Sequence, residues 1–262
     1  MNNLFNMDNP VFRALGKVMD LIILNLICIL CCIPIVTIGP SLTALFYVTL
    51  KMVRNEEGYI VKGFFKSFRQ NLRQGILINL IMLALGFFLY MDFRVINLME
   101  EKHTVLLFLM LFVLLIYSMV FIYIYPVLAK FDNTIKNTFQ NALMMSISHL
   151  PYTFLMLVVT IAPIALLVFT KIAQVQSLLL MLLFLMGVSL IAYSNSYFFV
   201  KIFDKYIPAE ETAADPFVED SILSDTAEEL PVKDELPVRD EFPQKDEFPQ
   251  KDELPEKDES DS

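Results

Sequence analysis

The sequence predicts an all-α, polytopic membrane protein with six transmembrane helices and a disordered acidic C-terminal tail. Three observations predict it. Hydrophobic residues make up 56% of the 262 positions and the mean hydropathy is +0.58, above the ~45–50% apolar share of soluble domains. No charge interrupts the run from Leu21 to Leu50, between Asp20 and Lys51, and an uncharged window longer than ~20 residues is the mark of a segment that enters a bilayer. The formal net charge of -9 sums two unlike parts: residues 208–262 hold 20 acidic and 5 basic side chains, whereas residues 1–207 hold 9 acidic and 15 basic ones.

Pro10 separates a polar start from VFRALGK, in which Val11, Phe12 and Leu15 lie among Arg13 and Lys17. That pattern suits a short interfacial helix leading into the membrane. The apolar stretch that follows is long and has no small-residue cleavage site, so it reads as a retained span and not a signal peptide. The first span is expected over about 18–38, with Pro34 bending its last turn. Gly39-Pro40 then reads as a turn at the outer surface and Ser41 as the N-cap of the next helix.

The second span, about 41–54, is short. Ser41 to Met52 gives ~18 Å of helix against a hydrocarbon core of ~30 Å, so it is either a crossing extended past Arg54 or a re-entrant segment. Charge decides between the two. Six spans place 12 of the 15 basic residues of the body inside and five place 10, and the positive-inside rule favours six with both termini cytoplasmic.

Lys51, Arg54, Lys62, Lys66, Arg69 and Arg73 form the densest basic cluster of the body, which makes this loop cytoplasmic. Within it Ile60, Phe64, Phe65 and Phe68 recur at helical spacing opposite Lys62, Lys66 and Arg69, the pattern of an amphipathic helix on the inner leaflet. Further spans are expected at about 76–90, 105–125, 154–170 and 178–200. Residues 1–207 thus form a helical membrane domain. From 208 the composition changes, and over 229–258 the hexapeptide E-[LF]-P-x-[KR]-D repeats. Proline every sixth residue prevents a continuous helix and one apolar residue per repeat cannot build a core, so 208–262 is expected to be an extended cytoplasmic polyanion.

Candidate chemistry is sparse. Cys28, Cys31 and Cys32 all lie in the first apolar run, where thiols pack as small hydrophobes; no disulfide framework is indicated. The histidines His103 and His149 are expected on opposite sides of the membrane, so no metal site is expected. Polar residues inside the spans are Asn25, Asn79, Thr160, Ser194, Asn195 and Ser196, which should turn inward and bond to neighbouring helices. VTIGP at Val36–Pro40 recurs as VTIAP at Val159–Pro163, but the flanks do not align and coincidence accounts for it. No Walker A loop, nucleophile elbow, H-E-x-x-H or G-x-G-x-x-G is present, so neither an enzyme nor a cofactor is expected. The turn NEEGY and the helix after it supply the candidate docking surface: Glu56, Glu57, Tyr59, Lys62, Phe64, Phe65, Lys66, Phe68 and Arg69.

LNLICILCCIPIVTIGPSLTALFYV, followed by KMVRNEEGYIVKGFFKSFRQN, by FDNTIKNTFQNAL and by FDKY at Phe203–Tyr206, resembles the YesL family of bacterial integral membrane proteins. The likeness runs from Asn9 to Tyr206 and excludes the acidic repeats. It implies a small multi-pass protein of the bacterial cytoplasmic membrane, typical of Gram-positive bacteria, with no established biochemical activity. Genes of the family it resembles often accompany those for ATP-driven carbohydrate uptake and polysaccharide breakdown. It carries over no catalytic residues.

The leading expectation is therefore a non-enzymatic accessory or regulatory membrane protein of a sugar-uptake system. Its partners would be the lipid bilayer, subunits of a sugar ABC transporter and a second copy in a homo-oligomer; nucleic acid is not among them. Two other readings stand beside it. One is a small solute transporter or channel in its own right, and the other a membrane scaffold using the acidic tail.

Overall fold

The computed structural model describes residues 10–56, 58–98 and 104–206. The expectations for the tail, its repeats over 229–258 and Glu57 lie outside the described residues. Helix α1 (Pro10–Cys31) opens with proline in its first turn, where the missing N–H is one of the unpaired donors anyway. It stops at Cys31 and not near residue 38. Pro34 cannot donate to the ladder and pushes Ile33 out of the helical region. Thr37 folds back to close the end, its Oγ1 lying 2.7 Å from the Cys31 carbonyl and 2.8 Å from that of Pro34.

The turn between the first two spans is therefore Cys32–Pro34 with a 3-10 turn at Ile35–Thr37, and not Gly39-Pro40. Helix α2 (Ile38–Arg54) contains both Gly39 and Pro40, and Thr37 occupies the N-cap position expected for Ser41. Ser41 instead donates its hydroxyl to the Thr37 carbonyl at 2.7 Å. Helix α2 ends at Asn55, which takes the left-handed conformation (φ 55°) that asparagine tolerates at a helix end.

The other elements are α3 (Ile60–Gln70), α4 (Leu72–Leu98), α5 (Thr104–Lys130), α6 (Ile135–Ser148), α7 (Leu150–Phe169), α8 (Ala173–Leu182) and α9 (Val188–Phe203). A π-helical turn, Leu183–Gly187, joins α8 to α9. Six helical segments are long and apolar enough to cross a membrane: 14–31, 35–54, 72–98, 104–130, 150–169 and 173–203. The chain is thus all-α with a multi-pass helical pattern, and no strand occurs among the described residues. Several spans run longer than the sequence pattern predicts, and Pro163 lies inside α7 without ending it.

Helix α2 is the centre of the bundle, packed by α9, α3, α4 and α5. Buried residues fall within 21–82, 119–156 and 187–203, and none among the described residues of 83–118 or 157–186. The core therefore occupies one end of the long helices, while the α4–α5 and α7–α8 hairpins extend beyond it with apolar side chains such as Phe88, Phe108 and Val168 exposed. Apolar surface of this extent suits contact with lipid. Ile33, Ile35 and Val36 on the turn after α1 are exposed in the same way.

Candidate functional site

Helix α3 runs along α2. Phe64 and Ser67 are buried on its inner edge, and Phe64 meets Phe65 edge-on at 5.7 Å and stacks on Phe68 at 6.2 Å. Phe64 is thus a packing residue and does not belong to an outward docking surface; helical spacing groups it with Phe65 and Phe68, and only contact with α2 separates them. Tyr59, Lys62, Phe65 and Arg69 are exposed, as is Glu56, while Lys66 and Phe68 are half-buried. The exposed set places two cations beside two aromatic rings on one rigid helix and its lead-in.

The ends of several helices meet near this surface. Lys17 Nζ donates to Asn55 Oδ1 at 2.7 Å, tying the start of α1 to the end of α2. Arg54 pairs with Asp204 after α9. Gln74 of α4 donates to the Asn133 carbonyl at 2.9 Å, Phe131 meets Phe203 at 5.2 Å, and His149 meets Tyr206 at 5.8 Å. These contacts bring Lys17 and Arg54 to the shared ends of α1, α2 and α9, and place Lys130 and Lys205 on chain segments directly next to residues in contact there. Lys51 lies 4.9 Å from the centre of the Tyr47 ring, a cation–π contact.

The intramembrane polar residues sort into separate pairs. Asn25 is fully buried, its Nδ2 donating to the Phe184 carbonyl at 2.7 Å and its Oδ1 accepting from the Ser189 N–H at 3.1 Å. Those two backbone groups lie five residues apart, so the Asn25 amide bridges the ladder where the π turn opens it. Ser189 completes the link by donating its hydroxyl to the Leu21 carbonyl at 2.7 Å. Asn79 donates to the Ile35 carbonyl at 2.9 Å and accepts from the Tyr125 hydroxyl at 3.2 Å, which holds the turn after α1 against α4 and α5.

Ser196 shares a hydrogen bond with Thr49 at 2.8 Å and is fully buried between α9 and α2. Ser194 is half-buried and lies apart from that pair. Asn195 donates from Nδ2 to Thr160 Oγ1 at 3.1 Å, and Thr160 donates onward to the Met156 carbonyl at 2.7 Å. Both residues line a cavity of about 170 Å³ among α2, α5, α7 and α9, whose other walls include Leu45, Phe46, Phe121 and Ile122.

Sequence pattern does not reveal the π turn, the cavity or α6. For α6 a signal existed: Thr134 as N-cap, accepting from the Asn137 N–H at 3.4 Å, with Thr138, Ala142 and Met145 buried at helical spacing. Cys28 is buried and its Sγ lies 4.0 Å from the Ser41 carbonyl, a packing role at the α1–α2 contact. Among the described residues no three His, Cys, Asp or Glu side chains come together as metal ligands would.

Residues 21–93 match the family described as a protein of unknown function, DUF624. The chain is 28% identical to the uncharacterized protein YteU of Bacillus subtilis (strain 168) over 127 residues, 48% of this chain and 57% of that protein. It is 26% identical to the uncharacterized protein YesL of the same organism over 118 residues, 45% of this chain and 56% of that protein. The matches span little more than half the length of these curated relatives. They agree with the resemblance to the YesL family drawn from the sequence, and the family segment covers α2, α3, the second half of α1 and most of α4. No solved structure matches the chain.

Proposed function

We propose that this chain, which resembles YesL and YteU and matches DUF624 over residues 21–93, is a non-enzymatic accessory or regulatory protein of the bacterial cytoplasmic membrane that docks on an ATP-driven carbohydrate uptake system. One observation carries the proposal. Phe64 and Ser67 lock α3 onto α2, leaving Lys62, Phe65, Arg69 and Tyr59 on a preset outer face. An aromatic and basic surface held on a rigid element binds a partner without the ordering cost a loose loop would incur.

The basic residues at the shared ends of α1, α2 and α9 support a cytoplasmic position for those ends and for both termini. The gene neighbourhood implied by the YesL resemblance supplies the choice of partner. The test is photo-crosslinking from position 65 in intact cells, together with purification in mild detergent. Transporter subunits should be captured, and a Lys62→Glu, Arg69→Glu variant should lose the crosslink at an unchanged membrane level. Repeated recovery of the chain alone overturns the reading.

A transporter or channel acting alone is the second reading, favoured by the cavity beside the π turn. Reconstituted vesicles that pass sugar or ions without a partner would establish it in place of the first.

A further inference from the structure

We infer that α1 and α2 form a re-entrant hairpin, which enters the bilayer from the basic side, turns at residues 32–37 among lipid acyl chains and returns to the same side. That leaves α4, α5, α7 and the segment 173–203 to cross. The contacts at the two ends of α2 carry the inference. At its start, Gly39 meets Gly75 in the first turn of α4. At its other end, Arg54 pairs with Asp204, directly after α9. Between them Phe46 meets Phe199 at 5.9 Å and Thr49 shares a hydrogen bond with Ser196 at 2.8 Å, both within the last two turns of α9.

The start of α4 and the end of α9 lie together. Gln74 donates to the Asn133 carbonyl, and Phe131, which directly follows α5, meets Phe203 at 5.2 Å. The 17 residues of α2 make ~25 Å of helix, yet both of its ends meet the same end of α4, α5 and α9. A helix crossing beside those three would bring one end to each surface, so α2 lies across them. Eleven of its 17 residues are buried, whereas α7 buries only Thr153 and Met156. Protein and not lipid surrounds α2, the setting in which a segment too short to cross is tolerated at membrane depth.

The turn stops well short of the far surface. Asn79, two turns into α4, donates to the Ile35 carbonyl at 2.9 Å, and α4 runs on from Asn79 to Leu98 for about 28 Å. Ile33, Ile35 and Val36 are 73%, 65% and 42% exposed, and no charge lies between Asp20 and Lys51. A turn in lipid must satisfy its backbone from the protein. Here the Ile33 N–H donates to the Leu30 carbonyl at 3.3 Å and the Thr37 N–H to that of Pro34 at 3.0 Å. The Cys31 and Pro34 carbonyls share the Thr37 hydroxyl, and Pro34 has no N–H to satisfy. Lys17 donates to Asn55 at the base of the hairpin, so both ends stay on the basic side and the charge distribution that favours six spans is kept.

The chain has no tryptophan, so one introduced into the full chain reports alone. Ile33→Trp, Val36→Trp and Leu98→Trp each replace an exposed residue, and each variant is placed in nanodiscs of phosphatidylcholine with plain or brominated acyl chains. The bromines should quench Ile33→Trp, and aqueous iodide should quench Leu98→Trp several-fold more strongly than Ile33→Trp. Val36→Trp should behave as Ile33→Trp does, and it carries the test if that variant does not reach the membrane. Iodide quenching at residues 33 and 36 equal to that at 98 places the turn at the outer surface and overturns the inference.

Discussion

Gly39 of α2 and Gly75 of α4 meet backbone to backbone, and neither position has room for a Cβ. A methyl on Gly39 would collide with the Gly75 carbonyl oxygen and lie 2.7 Å from Asn79 Cβ, and one on Gly75 would lie 2.9 Å from the ring and nitrogen of Pro40. Small residues permit such approaches between membrane helices. Here the approach lets Asn79 reach the Ile35 carbonyl.

Gly39→Ala and Gly75→Ala should therefore each destabilise by about 1–3 kcal/mol, because backbone atoms must move. Thermal unfolding in detergent reads the loss. Gly16→Ala is the control: nothing lies within 4 Å of its Cβ position, and the gain in helix propensity should raise stability by up to about 1 kcal/mol.

Asn25 satisfies both backbone groups of the opened π turn, so Asn25→Leu should leave the Phe184 carbonyl and the Ser189 N–H without that partner. The expected loss is about 1–3 kcal/mol, with faster hydrogen exchange at Ser189. Ser189→Ala should cost less, because it removes only the hydroxyl, which the Leu21 and Met186 carbonyls share, and leaves the backbone N–H on Asn25. Equal exchange at Ser189 in the unmodified chain and in Asn25→Leu would show that Asn25 does not hold the turn.

Adjacent phenylalanines on α3 should behave oppositely. Phe64 is fully buried, whereas Phe65 is 44% exposed. Phe64→Ala should cost about 3–5 kcal/mol. Phe65→Ala should leave the unfolding midpoint nearly unchanged and lower partner crosslinking from neighbouring α3 positions. If both variants lower the midpoint alike, the outer face of α3 is structural and not free to dock.

The Arg54–Asp204 pair joins the ends of α2 and α9 with side chains 15% and 55% exposed. Solvent screens a pair of this kind, so Asp204→Asn should cost no more than about 1 kcal/mol. The difference from the unmodified chain should shrink further at high salt. A loss several times larger would mark the pair as part of a coupled network.

Local pattern, hydropathy together with the distribution of charge, predicted the class, the six apolar segments and the amphipathic helix from Ile60, because the cost of placing charges or unpaired backbone in lipid is local and is written along the chain. It misplaced the first turn. Gly39-Pro40 carries the composition of a turn, yet proline is tolerated in the first turn of a helix and glycine is favoured wherever two backbones touch. Which use applies depends on Gly75, 36 residues away in sequence. The polar residues Asn25, Asn79, Thr160, Asn195 and Ser196 could be named from sequence, but not matched to their partners, since each pairing joins different helices. Composition therefore determined that the chain is a helical membrane protein. Only the packing of α2 against α4, α5 and α9 decided where it turns and which face of α3 is outward, because those depend on distances between segments that no local pattern encodes.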